Sequence, residues 1–221
     1  MRILTDALTF DDVSLVLRGL TRIRPIPGQI NVMWIISHPE QITQEELLGY
    51  DLIYAASASW AERASTKFGV EIRPLLQATD TSRFNLAGSG SGSVYGGVES
   101  LRREDARDSI DGTTTARDVI FVGGNHKGRD RDLVHMALEA GVDLTIIGPG
   151  WKDLVPDEVL AGEHVPNSEL AAVYRSAKFV LPDHWNDMPT EGFIQNRIFE
   201  ALACGARVIS DPAAGLEALC G

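Results

Sequence analysis

A short glycine-rich, basic stretch, Gly123-Gly124-Asn125-His126-Lys127-Gly128-Arg129-Asp130-Arg131, lies between an apolar run, Val119 to Val122, and a helix-period segment, Arg131 to Ala140. Glycine lets backbone approach an anion, a helix start offers N–H groups and positive dipole, and Lys127, Arg129 and Arg131 add charge. These types in this order point to a cradle for a diphosphate. They would equally form a tight turn with solvated basic side chains, and both readings stand at this level. The stretch is not a Walker A loop, because Gly128 is followed by Arg129-Asp130 where Lys and Ser or Thr are required. It also misses Gly-x-Gly-x-x-Gly, and the next apolar run ends in Gly148-Pro149 without the acidic residue that grips an NAD ribose. P-loop hydrolysis and hydride transfer are disfavoured accordingly. A second polar stretch, Asp183-His184-Trp185-Asn186-Asp187-Met188-Pro189-Thr190-Glu191-Gly192-Phe193, leads into Asn196-Arg197-Ile198-Phe199-Glu200-Ala201-Leu202-Ala203-Cys204-Gly205. His126, His135, His164 and His184 have no His-Glu-x-x-His spacing, Cys204 and Cys220 form no Cys-x-x-Cys pair, and no metal site is expected.

Period and punctuation predict the elements that position these residues. Strands are expected at 13–17, 32–36, 51–56 and 70–76, with the unalternating run 32–36 covered on both faces. Thr43-Gln44-Glu45-Glu46 has capping-box spacing and should open a helix through Leu48, closed by Gly49; a second helix runs 59–68 to Gly69. The pattern stops over 85–117, where Gly88 to Ser93 alternates Gly and Ser and 101–111 is dense in charge, as in a flexible linker or loop. Strands then recur at 119–122, 143–147, 179–181 and 207–210. Helices are expected at 131–140, 168–177 (capped by Asn167 or Ser168) and 193–204, with a loop at 182–190. The alternation predicts an α/β fold with two parallel-sheet, Rossmann-like lobes: a partial lobe at 1–84, the linker at 85–117 and a second lobe at 118–221. Such sheets bind ligands beyond the carboxyl ends of their strands. Twenty Lys plus Arg against 31 Asp plus Glu leave a formal charge of −11, which weighs against a nucleic-acid partner. No apolar stretch approaches the roughly 18 residues of a membrane span, Asp6 interrupts any signal-peptide core, and a cytoplasmic protein is expected.

Glu191-Gly192-Phe193 followed by Glu200-Ala201-Leu202-Ala203-Cys204-Gly205 resembles the donor-binding half of GT-B glycosyltransferases. Asn196 to Gly205 is similar to the bacterial glycosyltransferase-like group named after spore-maturation proteins, within the group 1 superfamily. Tyr50-Asp51-Leu52-Ile53 and Arg73 to Asp80 resemble the end of that fold's acceptor lobe, and Val165 to Tyr174 resembles its base-reading segment. The resemblance implies a hexosyltransferase-like enzyme that moves a sugar from a UDP- or GDP-type donor to a glycan or other acceptor, retaining, metal-independent and without a resident cofactor. It implies that Glu200 grips the donor ribose, that Glu191 lies near the donor sugar, and that Lys127, Arg129 and Arg131, with Gly123 and Gly124, hold the departing diphosphate. His38, in Ile36-Ser37-His38-Pro39-Glu40, matches a cleft-facing position of the acceptor lobe and would steady the donor sugar or an acceptor hydroxyl. Glu191 and Glu200 are separated by one residue more than is usual in that group. Without the resemblance, Glu200 reads equally as a solvated helix glutamate and His38 as a loop cap. The first lobe lacks the family's opening strand and helix, and the second its closing helices, so a chain truncated at both ends is expected. On that ground the alternative function is a non-catalytic nucleotide- or glycan-binding or scaffold domain.

Overall fold

The computed structural model describes residues 12–86, 119–125, 131–184 and 188–217. Lys127, Arg129 and nearly all of the expected linker, 87–117, lie outside the described residues. Within them the chain is α/β, with two sheets in which every pairing is parallel, as the strand and helix alternation predicts. It divides into two compact units: one from Met1–Gln77, His184–Ile194 and Pro212–Gly221, the other from Ala78–Asp183 and Gln195–Asp211.

In the first unit β1 (Val13–Arg18), β2 (Ile30–Ile35), β3 (Leu52–Ala55) and β4 (Arg73–Pro74) pair in chain order. Helix α1 (Gln44–Leu47) joins β2 to β3, and α2 (Ala58–Phe68) joins β3 to β4. The Thr43 hydroxyl caps α1 by accepting from Glu46 N at 3.3 Å, as its spacing predicts. Ser57 caps α2 through Trp60 N at 3.1 Å, which starts that helix one residue before the expected Ser59, and Gly69 ends it at φ 66°. Because the sheet advances one way, right-handed crossovers lay both helices on one face. That face buries Val16, Met33, Ile35, Ile53 and Ala55 against Leu47, Trp60, Ala61 and Ala64. The other face presents Val13, Leu15, Ile30 and Leu52 at 52%, 62%, 50% and 37% exposure. The two-sided cover expected for 32–36 is therefore met on one face only among the described residues.

The strand expected at 70–76 is reduced to Arg73–Pro74, with Leu75 N donating to Ala55 O at 2.9 Å just beyond it. Asn31 holds the β1–β2 connection by accepting from Ile26 N at 2.7 Å and donating to the carbonyls of Ile26 and Gln29 at 3.0 and 2.9 Å. Helix α5 (Met188–Glu191) and Phe193 complete this core: the Phe193 ring meets Trp60 edge-on at 5.6 Å, and Ser57 Oγ donates to Glu191 O at 2.6 Å. The expected loop at 182–190 thus contains a helical turn.

In the second unit the strands are β5 (Val119–Val122), β6 (Leu144–Ile147), β7 (Leu160–Gly162), β8 (Phe179–Val180) and β9 (Arg207–Val208), in the order β7-β6-β5-β8-β9. The helices are α3 (Asp132–Glu139), α4 (Leu170–Ser176) and α6 (Asn196–Ala203). The chain starts at the centre, builds out through β6 to β7, then returns to the other side of β5. Both faces are covered: Phe121, Leu144 and Ile146 pack with Val134 and Trp151, and Ile120 and Val180 with Val173, Tyr174 and Ala201. All four residues of β6 are buried, as befits a central parallel strand. Three details depart from sequence expectation. β7 was unforeseen because it is short and carries no apolar alternation. Helix α4 starts at Leu170, with Glu169 N bonded to Pro166 O at 2.8 Å and no cap from Asn167 or Ser168. Helix α6 starts at Asn196 because Phe193 is drawn into the first unit's core and Gln195 is extended.

The clearest energetic test lies in the first unit. Arg18 Nε donates to Glu46 Oε1 at 2.7 Å, and the two side chains are 3% and 2% exposed. Glu46→Ala should lower unfolding stability by about 3–5 kcal/mol in urea, because it leaves the Arg18 charge buried and unmatched, whereas Arg18→Met with Glu46→Leu should restore most of the loss.

Candidate functional site

The order of the second sheet reverses between β5 and β8, so the loops leaving the carboxyl ends of those two strands start side by side. Beyond β5 the backbone runs against the turn that follows β6: Gly123 N donates to Ile147 O and Asn125 N to Pro149 O, each at 2.9 Å. A Cβ on Gly148 would fall 2.2 Å from Gly123 O, and one on Gly150, whose φ is 81°, 2.2 Å from Asn125 O. Gly148-Pro149-Gly150 is therefore a packing requirement of the β5 loop, beyond its role as a turn. Trp151, 1% exposed, donates its indole N–H to Gly123 O at 2.7 Å and meets the Phe121 ring edge-on at 5.5 Å.

Arg131 precedes α3 and turns back over this loop. Its Nη2 donates to Gly124 O at 2.7 Å, its guanidinium lies 5.5 Å from the Phe121 ring centre, and its Nη1 is ion-paired with Asp183 Oδ1 beyond β8. Both side chains are largely buried, at 11% and 10% exposure. Gln195, at the start of α6, donates Nε2 to the Asp183 carbonyl at 2.6 Å. The β5 loop, the β8 loop and the α6 start are thereby tied at one place.

Charge extends this cluster along α6. Burial holds the Arg131 guanidinium below its usual range; Asp183 opposes that shift, Arg197 reinforces it and Asp211 opposes it. Glu200 is 8% exposed and accepts from Asn196 Nδ2 at 2.8 Å. Burial pushes its carboxyl above the usual range, against the pull of Arg197, Asn196 and Arg83. Burial likewise pushes the Tyr174 phenol up, with Arg197 opposing. Arg197 is thus felt by Arg131, Glu200 and Tyr174 together. Arg131 and Arg197 therefore lie within electrostatic reach of each other.

Among the residues expected from sequence, Arg131 donates to the Gly124 carbonyl, beside Gly123, whose own carbonyl accepts from Trp151; Glu200 lies on α6 and, like Arg131, is acted on electrostatically by Arg197. Lys127 and Arg129 lie outside the described residues. His38 and Glu191 belong to the first unit. His38 follows β2, is 8% exposed, and places its Nδ1 2.9 Å from Ser37 Oγ. Its backbone is left-handed, φ 56° and ψ 51°, directly before Pro39. Neither a β-carbon nor a following proline favours that region, so His38 is held there by its surroundings. Glu191, on α5, pairs its side chain with Arg63 of α2.

Arg197, Asp183 and Asp211 are not among the residues that the sequence assigns to the site. Arg197 was legible in principle, three residues before Glu200 and so on the same stretch of helix surface. Asp183 and Asp211 carry no such signal, since their relation to Arg131 spans 52 and 80 residues. Among the described residues, no three His, Cys, Asp or Glu side chains gather as a metal site.

The fold and site define an α/β protein whose second, Rossmann-like unit gathers Arg131, Asp183 and Gln195 at its strand reversal. Residues 129–220 match a protein family described as glycosyl transferase-like, which supports a glycosyltransferase assignment for this part of the chain. No curated protein matches the chain.

Two outcomes follow from the geometry. Because the folded Glu200 carboxyl titrates above its unfolded value, the native state binds this proton more readily, and stability is lost as pH rises from about 4 through the folded value. Glu200→Gln should therefore melt above the wild type at pH 8, and the gap should close below about pH 4. Gly148→Ala should lower the melting temperature at every pH, because its methyl meets a backbone carbonyl that cannot move without breaking the β5–β6 register.

Proposed function

We propose that the second unit binds a nucleoside diphosphate sugar of UDP or GDP type, with the diphosphate against Arg131 and Arg197 and the ribose on Glu200. The protein then transfers the sugar to a glycan or other acceptor. The observation that carries this reading is the largely buried Arg131, held beyond β5 by Gly124 O and Asp183 and within electrostatic reach of Arg197 on α6, inside the segment that matches the glycosyl transferase-like family. Two cations close to each other favour an added anion, even with Asp183 already paired to one of them, and their effect is greatest on the charge that develops as the diphosphate leaves. A carboxylate can accept two hydroxyl hydrogen bonds, which suits Glu200 to a ribose diol.

Lys127 and Arg129 belong to the same phosphate-binding set; Gly123 and Gly124 serve it indirectly, since the Gly123 N–H donates to Ile147 O and the Gly124 carbonyl holds Arg131. His38 and Glu191 are the proposed catalytic contributors, and the strained backbone of His38 favours its part. The transfer is retaining and needs neither a metal nor a resident cofactor. The finer assignment, to the bacterial group named after spore-maturation proteins, rests on the phrase Asn196 to Gly205, and a cytoplasmic setting goes with it. No helix among the described residues is long and apolar enough to cross a membrane.

The test is calorimetric titration of the chain with UDP, GDP and ADP, followed by turnover with a panel of radiolabelled UDP- and GDP-sugars. Arg131→Ala and Arg197→Ala should each weaken nucleoside diphosphate binding about tenfold or more, the loss of one charge-assisted contact. His38→Ala should lower kcat with little change in donor affinity. Nucleotide affinity that is absent from the wild type, or indifferent to Arg131 and Arg197, would overturn the reading.

A further inference from the structure

We propose that Asp183 is a positioning residue that holds the Arg131 guanidinium in its diphosphate-binding orientation. The inference rests on the reading of the Arg131 cluster as a diphosphate site and adds a role for a residue that does not itself touch the ligand. An arginine beside a phosphate gains most when its planar fork is already aimed, because less side-chain freedom is lost on binding. Arg131 is aimed by Gly124 O on Nη2, by the Phe121 ring with its centre 5.5 Å from the guanidinium, and by the Asp183 carboxylate on Nη1. Asp183 is the one that joins separate loops, since it belongs to the β8 side of the strand reversal and Arg131 to the β5 side. Its backbone is in turn fixed by Gln195 at 2.6 Å, so the carboxylate is anchored independently of the arginine it holds.

The carboxylate also has an opposing effect. A second anion near a bound diphosphate repels it, and at 10% exposure the repulsion is weakly screened. Orientation and repulsion can be separated by shape. In Asp183→Asn the amide oxygen still accepts from Nη1 while the charge is gone; in Asp183→Ala both are gone.

The experiment is calorimetric titration with inorganic diphosphate and with UDP, alongside thermal melts, for the wild type, Asp183→Asn, Asp183→Ala and Gln195→Ala. Asp183→Asn should bind both probes as tightly as the wild type or severalfold tighter. Asp183→Ala should bind both about tenfold more weakly, and Gln195→Ala should fall between, with Asp183 left in place but its backbone released. A purely structural Asp183 would lower melting temperature in all three variants without separating Asn from Ala in affinity. The proposal is overturned if Asp183→Ala binds as the wild type does, if Asp183→Asn loses as much as Asp183→Ala, or if the wild type binds no diphosphate. Diphosphate binding that follows the expected order, in a protein that transfers no sugar, leaves the positioning role standing and overturns the transferase reading alone.

Discussion

Two adjacent parallel strands can be joined only by a crossover, and the twist of the chain makes that crossover right-handed. Much else in this protein depends on that constraint. In the first unit the strands advance in one direction, so the helices gather on one face and every loop leaves its strand in the same sense. In the second unit the chain begins at β5, builds outward to β7, and then crosses back to β8. Reversal sends the helices to both faces and sets the starts of the loops after β5 and β8 side by side. The same topology that completes the second core creates the place where Arg131 and Asp183 meet.

Charge at that place is balanced by neighbours more than by water. Arg131 is buried enough that its charge would be unfavourable alone, and Asp183 supplies a counter-charge from across the reversal. Arg197 adds a second positive group from α6, while Asp211 and Glu200 set the negative side. An arrangement of this kind is expensive as a purely structural element, since apolar residues of similar volume would pack a core as well.

The fold was legible to the extent that local chemistry decides it. Thr43 before two glutamates marks the start of α1, Gly69, Gly141 and Gly205 each carry the positive φ that ends a helix, and Val119 to Val122 is a strand with the expected bounds. The α5 turn was hidden because residues 188–191 contain proline and no period, and it is held by packing on the first unit's core. The shortened start of α6 has the same origin, in the burial of Phe193. For the candidate site, the glycine-rich basic loop was visible as a run and Glu200 through its neighbours on α6. The glycines' actual partners, the carbonyls of the turn after β6 and the indole of Trp151, were not.

What the sequence determined by itself is the α/β class and its parallel sheets, because unalternating apolar runs and helix stops are local properties of composition and period. Tertiary structure alone decided which strand follows which across the sheet, which face of the first sheet is covered, and which acid meets Arg131. Those are contacts between residues far apart in the chain. No local pattern encodes them, and they exist only once the crossovers have brought β5 and β8 side by side.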